Sequence, residues 1–332
     1  MEELKEKLSR FLQTNDFTIT PLAGGASPRK YYLLNFSKDS YFPRKDVILM
    51  YIPHTLPHTA EDYVNISYYL RRFHIAHPII YEMNLAEGWI FVEPARGETL
   101  DNYLRQHPEE IPRIYPGLIH FLIDLQKRAT FEAHCPAFQR YFDREKYFYE
   151  FDLHIRKYLL ESYLKPTMTA GEEKLFRELR AHMSQYLEEH HPVFVHRDFQ
   201  TSNIFYDARD THQPFQIIDF QDARSGTYLY DIVSLAYDSY IDLPEDFRRK
   251  ILEDFYLLHP VVSRLYSPEE FRQRVDYTIV QRKLHDAGSF VRAYKNLGNR
   301  DFLPYIEDAL QMALKVMEHY PQLKTAMSLF QK

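Results

Sequence analysis

The sequence predicts an α+β protein of two lobes, a small β-rich amino-terminal lobe and a larger helical carboxy-terminal one. Three observations carry that expectation. A chain of 332 residues exceeds what one small core holds, so two lobes are expected. Strand-like runs crowd positions 17–93, whereas helical periodicity dominates after them. Between the two, Pro94-Ala95-Arg96-Gly97 breaks the pattern with turn-forming residues. The expected boundaries are a lobe over 1–93, a hinge over 94–97 and a helical lobe over 98–332.

The elements follow in order. MEELKEKLSRFLQ sets Leu4, Leu8, Phe11 and Leu12 on one helical face, with charges where a secretory leader needs an apolar core. FTITPL, KYYLLNF and DVILMYI read as strands, the first two joined by AGGASPR. Tyr63, Ile66, Leu70 and Phe73 mark a helix over 60–75, and PIIYEM (78–83) and GWIFVE (88–93) complete about five strands. Helices are then expected over 99–107, 112–128, 137–164, 172–190, 229–240, 244–259 and from 268 onward with breaks. Thr169 with Glu172 fits a capping box, and Ser267-Pro268-Glu269-Glu270 supplies an N-cap, a proline at N1 and early acids. Three short strands interrupt this helical region: PVFV (192–195), NIFY (203–206) and FQIID (215–219).

Composition narrows the function. Hydrophobic content of 45% and charged content of 27% are ordinary for a globular protein. A net charge of −6 without a basic stripe argues against a nucleic-acid platform. GLIHFLIDL (117–125) is too short and too polar to span a bilayer. The single cysteine, Cys135, cannot form an internal disulfide and points to a reducing compartment. A cytoplasmic protein that binds neither nucleic acid nor membrane is expected; its oligomeric state stays open.

The chemistry gathers in HRDFQTSNIF (196–205) and QIIDFQDAR (216–224). Asp198 and Asn203 stand five residues apart on a loop between two short strands, and Asp219 closes the next strand. Two carboxylates and an amide oxygen so placed suit phosphoryl transfer, in which the protein mainly positions reactants and neutralises charge. Mg²⁺ takes hard oxygen ligands and needs only one or two carboxylates beside the substrate's phosphates. Asn203 and Asp219 fit that task. Asp198 is left to orient an acceptor hydroxyl and take its proton.

These residues resemble the catalytic and metal-binding motifs of the protein-kinase-like superfamily, in its aminoglycoside phosphotransferase and choline kinase branch. Gln221 replaces the glycine of the usual Asp-Phe-Gly. Only QDARSGTYLY separates Phe220 from Asp231, too short for a peptide-docking activation loop, so a small-molecule acceptor is expected. ASPRKYY (26–32), VILMYIP (47–53), DFQDARSGTYLYDIVSLAYDSY (219–240) and QRKLHDAGSF (281–290) are similar to the bacterial N-acetylmuramate/N-acetylglucosamine anomeric kinases of cell-wall recycling. The resemblance implies a two-lobed protein-kinase-like fold that uses ATP and Mg²⁺ to phosphorylate a sugar's anomeric hydroxyl. An aminoglycoside- or choline-type kinase is the alternative, and would require an acidic acceptor cleft.

Kinases hold the α- and β-phosphates with a lysine on the third strand. VILMYI has none, and Met50 takes its place. Either the chain is a silent nucleotide binder, or Arg29 or Lys30 supplies the charge. Their segment resembles the nucleotide-covering turn, where Gly24 and Gly25 permit close backbone approach and Ser27 offers a hydroxyl. The resemblance implies that the anomeric kinases share the missing lysine. Glu93 marks the hinge whose backbone would hold adenine. On the acceptor side the candidates are Asp222, Arg224 and Glu145, with Tyr149, Asp152, Asp238 and Tyr240 behind them. Asp231 reads as an N-cap or a buried anchor for the catalytic loop.

Overall fold

The computed structural model describes residues 1–22, 29–37, 42–53, 57–129, 131–188, 191–298 and 300–331. They form two compact units, Met1–Glu98 with Phe205–Asp222, and Thr99–Ile204 with Ala223–Lys332.

The smaller unit begins with α1 (Glu2–Leu12), β1 (Phe17–Leu22), β2 (Lys30–Phe36) and β3 (Asp46–Tyr51). It continues with α2 (Pro57–Arg72), β4 (Ile80–Asn84) and β5 (Trp89–Val92). The strands build one antiparallel sheet in the order β1-β2-β3-β5-β4. The two-residue period explains its faces. Val47, Leu49, Trp89 and Phe91 share one apolar cluster with Leu8 of α1, and the Phe11 ring lies 5.7 Å from both Trp89 and Phe91. Met50 is one residue out of phase with Leu49, is buried, and pairs in register with Tyr31 of β2.

The chain then runs through β6 (Glu98–Thr99), α3 (Leu100–Gln106), α4 (Ile111–Arg128), α5 (Pro136–Gln139) and α6 (Arg144–Glu150). A π-helix, Phe151–Leu164, continues α6 before α7 (Ala170–Leu187). Three short strands follow, β7 (Val193–Val195), β8 (Ile204–Tyr206) and β9 (Phe215–Ile217), and then β10 (Arg224–Gly226). The remainder is α8 (Leu229–Ala236), α9 (Glu245–Leu258), α10 (Val262–Leu265), α11 (Pro268–Leu297), α12 (Leu303–Met317) and α13 (Pro321–Lys324). Both capping boxes form: Thr169 and Ser267 accept from the backbone N–H of Glu172 and Glu270, whose carboxylates reach back.

Several expectations are corrected. The helix expected over 137–164 is divided into α5, α6 and the π-helix. Asp143 caps the start of α6 by accepting from Lys146 N, and this local bond opens a new helix. The helix expected over 229–240 ends at Ala236, because Asp238 turns its side chain onto Thr201. Asp219 does not close a strand: β9 stops at Ile217, and Asp219 adopts a left-handed backbone with φ 63°.

The larger unit's core runs from Phe142 and Tyr147 through Phe151, Phe176, Met183, Leu284 and Val291 to Leu310 and Phe330. α11 is its axis. Gly288 lets that helix lie directly on the π-helix: a Cβ there would stand 2.0 Å from the His154 carbonyl oxygen.

Candidate active site

The two units each carry part of the motif set: Asp219 belongs to the smaller one, Asp198 and Asn203 to the larger.

In the smaller unit the Asp-Phe pair is wedged by aromatic packing. The Phe220 ring stacks on Tyr63 of α2 at 4.8 Å and meets His77 edge-on at 5.4 Å. The left-handed backbone at Asp219 is unusual for a residue with a side chain and is held by that packing. Its Oδ1 accepts from Arg29 Nη1 at 2.8 Å and from Gln221 Nε2 at 2.9 Å. Gln221, standing where related motifs have glycine, therefore bonds the motif carboxylate. Burial works against the Arg29 charge, but Asp219 and Tyr31 more than offset it and raise the guanidinium above its ordinary value.

The strand that lacks the lysine has a cation close by. An arginine immediately before β2 reaches Asp219, with Met50 in the apolar sheet. Arg29 is 9% exposed in its side chain, whereas Lys30 points to solvent, so the structure separates two cations that the sequence left equivalent. Gly24, Gly25 and Ser27 lie outside the described residues. Glu93 follows β5; its backbone N–H donates to Ile79 O at 2.8 Å, and its carboxylate accepts from Ile79 N at 3.5 Å. In 94–97, Arg96 pairs with Asp210 at 2.5 Å. Gly97 takes φ 76°, where a Cβ would stand 2.0 Å from Tyr206 O. Asp222 is half-buried, 3.4 Å from Gln221 Nε2.

In the larger unit the loop that carries Asp198 and Asn203 is tied to α8. Asp231, fully buried in the first turn of α8, accepts from the backbone N–H groups of His196 (2.7 Å) and Arg197 (2.9 Å). It is an anchor and not the N-cap of α8, a position held by Tyr228. This double bond stabilises Arg197 at φ 84°, a conformation that costs of order 1–3 kcal/mol in isolation. Asp238 accepts from both the N–H and the hydroxyl of Thr201 at 2.6 and 2.7 Å, so it too serves the loop. Asn203 Nδ2 donates to the Asp198 carbonyl at 2.9 Å, which puts its amide oxygen on the other branch.

The Asp198 carboxylate keeps 32% of its side-chain surface exposed and accepts from Arg282 Nη2 at 3.2 Å. Burial pushes its carboxyl up, but Arg282 and then Arg197 outweigh that and hold it below the usual aspartate value. Arg282 is itself buried, bonded to Tyr230 OH at 3.2 Å and paired with Asp286 at 3.3 Å. One residue back along α11, Gln281 Nε2 donates to Glu150 at 2.9 Å. Glu150 also pairs with Lys146 (3.1 Å) and Arg197 (3.4 Å).

The acceptor-side candidates fall differently. Glu145 is exposed in the first turn of α6, Tyr149 is 57% exposed, and Asp152 is engaged by Arg180 at 2.5 Å. None of them joins the cluster around Asp198. The carboxylate that α6 turns inward is Glu150, which the sequence reading passed over together with Arg282 and Asp286. Their signal was present in QRKLHDAGSF: Arg282 and Asp286 are four apart, on one face of a helix. Arg224 is half-buried with its guanidinium 5.3 Å from the Phe142 ring centre. A cavity of about 1080 Å³ bounded by α9, α11 and α12 contains none of the motif residues.

Residues 18–266 match the sequence profile of the phosphotransferase enzyme family, APH. The chain belongs to that family. It is a small-molecule phosphotransferase acting on a sugar or alcohol acceptor, and kinases of this family use ATP. It is 27% identical over 330 residues to the N-acetylmuramate/N-acetylglucosamine kinase of Neisseria meningitidis, covering 96% of this chain and 92% of that one. Among solved structures, the ADP-bound aminoglycoside phosphotransferase APH(2'')-Ib shares the fold with a TM-score of 0.64 at 16% identity, covering 99% of each chain. A choline kinase from Streptococcus pneumoniae does so with a TM-score of 0.62 at 14% identity, covering 96% of this chain and 99% of that one. The two-lobed kinase-like fold expected from the sequence is therefore present. No helix among the described residues is long and apolar enough to cross a membrane.

Proposed function

We propose that this phosphotransferase moves the γ-phosphoryl group of ATP to a sugar hydroxyl, with the anomeric hydroxyl of N-acetylmuramate or N-acetylglucosamine as the preferred acceptor. Asp198 is the base. Its carboxylate, about one-third exposed, is available to a hydroxyl and is kept ionised by Arg282, as proton acceptance requires. The hard oxygens of Asp219 and Asn203 fit Mg²⁺, whose charge, when bound, offsets that developing on the phosphates. Arg29 turns a forked guanidinium to the phosphates in place of the absent lysine. Gly24, Gly25, Ser27 and Lys30 are assigned to nucleotide binding by the sequence motif, and Glu93 to the adenine end. Asp222 and Arg224 remain acceptor candidates on the segment after Asp219.

One observation favours a neutral or anionic sugar over a cationic aminoglycoside or choline. The buried carboxylates of the larger unit around Asp198 already have partners. Glu150 is met by Lys146 and Arg197, Asp286 by Arg282 and Lys283, Asp231 by two backbone N–H groups, and Asp238 by Thr201. A cationic acceptor needs carboxylates to replace its lost hydration, and these are committed elsewhere. The curated relative supports the same sugar class.

The test is a panel of N-acetylmuramate, N-acetylglucosamine, aminoglycosides and choline incubated with MgATP, following phosphate transfer. Preferential transfer to the N-acetylated sugars, with an alkali-stable but acid-labile anomeric phosphate as product, is expected. Faster transfer to an aminoglycoside or to choline would overturn the acceptor assignment.

A further inference from the structure

We propose that Arg282 is a positioning residue for Asp198, holding one carboxylate oxygen so that the other faces the acceptor hydroxyl. The inference rests on Asp198 being the base. The ties already described, from Asp231, Asp238 and Asn203, hold the backbone of the catalytic loop and leave the Asp198 side chain to be oriented separately. Arg282 reaches that side chain from α11, 84 residues further along the chain. Its Nη2 meets Asp198 Oδ1 at 3.2 Å.

The guanidinium is fixed before it meets the base. Nη1 donates to Tyr230 OH at 3.2 Å, and the Tyr230 ring centre lies 5.3 Å from the guanidinium carbon. Asp286, one helical turn on, stands 3.3 Å from Nη2 and is itself held by Lys283 at 3.0 Å. Lys283 in turn donates to Ser239 Oγ at 3.0 Å. Arg282 and Lys283 are almost wholly buried, so solvent does not compete for these bonds in this arrangement. A rigid planar fork can bridge Asp198, Tyr230 and Asp286 together, and a single ammonium cannot reproduce that spread.

Positioning of this kind has a rate consequence. A base must stand within hydrogen-bond reach of its proton, and misplacement by about 1 Å costs on the order of 100-fold. A purely architectural ion pair would have a different consequence: its loss would lower stability and leave turnover by the folded fraction intact.

The experiment measures kcat, the KM for ATP and the KM for N-acetylmuramate in Arg282→Met, Arg282→Lys and Tyr230→Phe, and in Arg282→Met combined with Asp198→Asn. For Arg282→Met, kcat should fall roughly 10- to 100-fold with the KM for ATP unchanged. Arg282→Lys should recover little of that loss. Tyr230→Phe, which loosens one pin without touching Asp198, should lower kcat by about 2- to 10-fold, the effect of one hydrogen bond. In the Asp198→Asn background, Arg282→Met should add no further loss, because both act through one group. Full kcat in folded Arg282→Met beside an inactive Asp198→Asn would overturn the positioning role and leave the base intact. Normal turnover by Asp198→Asn would instead remove the base on which the inference stands. If Arg282→Met does not fold, Tyr230→Phe decides: unchanged kcat overturns the proposal.

Discussion

Arg29 and Arg282 each meet a motif aspartate, one in the sheet unit and one in the helical unit, and the two pairs are built differently. Arg29 stands immediately before β2, and its partner Asp219 keeps 34% of its side-chain surface exposed. Asp219 Oδ1 is shared between Arg29 and the neighbouring Gln221. Arg282 rises from the middle of a thirty-residue helix and is locked to Asp286 and Tyr230 before it touches Asp198. The first pair is open enough to exchange partners, as the proposed phosphate contact of Arg29 requires. The second is built to stay as it is. The same pair of residue types is therefore part-exposed in one place and locked in the other, which suits the proposed nucleotide role of Arg29 and the proposed alignment role of Arg282.

Mutations can break or sharpen this contrast. The largest effect is expected from Asp198→Asn, which should lower kcat by about 10²–10⁴-fold, the range for general base catalysis, with the circular dichroism spectrum unchanged. Next comes Asp286→Ala, which removes the carboxylate paired with buried Lys283 and leaves Arg282 only Asp198 as a charged partner among the described residues. Denaturant unfolding should show a loss of about 3–5 kcal/mol, the cost of breaking a buried pair from one side. Arg29→Ala should act on function instead. The KM for ATP should rise by about 10- to 100-fold, equivalent to one or two charge-assisted hydrogen bonds, with a smaller loss of stability than Asp286→Ala. Unchanged ATP kinetics in Arg29→Ala would end its assignment as the substitute for the lysine.

Gly288→Ala probes the seat of α11 without touching charge. It should destabilise the protein by about 1–3 kcal/mol, as overpacking does, since the added carbon meets the His154 carbonyl. Wild-type stability across that interface would mean the helix can move off the π-helix, and the fixed character of the Arg282 pair would be in doubt.

Acid provides the mildest probe. Burial alone would raise the Glu150 carboxyl, but His285, Lys146 and Arg197 more than offset it; burial is likewise outweighed at Asp286 by Arg282 and Lys283. Both carboxyls therefore lie well below their values in the unfolded chain, and protonation favours unfolding. Their contribution is complete above the unfolded carboxylate range of about 4 and is lost as pH falls below it. The melting temperature should drop below about pH 4, less steeply in Asp286→Ala than in wild type. Equal slopes would show that the Asp286 pair carries none of the acid sensitivity.

Much of this molecule was legible in its sequence, for identifiable reasons. β1 and β2 fall where alternation and turn residues placed them, and the two capping boxes form because both partners sit three residues apart. Asp231 could be read as a loop anchor because it stands at a helix start just beyond a catalytic motif. Glu145 and Glu150 could not be told apart by composition. Both lie on α6, and only the direction of each side chain leaves one exposed and buries the other. The break of the expected 137–164 helix leaves little trace in the sequence because the Asp143 cap lies inside a run that is helical on either side.

The sequence by itself determined the division into a sheet-rich and a helical part and brought Asp198, Asn203 and Asp219 forward as candidates for phosphoryl transfer. Those properties depend on local periodicity and close spacing, which a linear string preserves. Only the tertiary structure decided that Arg29 and not Lys30 reaches Asp219, and that Arg282 stands behind Asp198. Each depends on side chains brought together across 190 and 84 residues of chain. Such contacts arise from how helices and sheets pack, and no short stretch of sequence contains them.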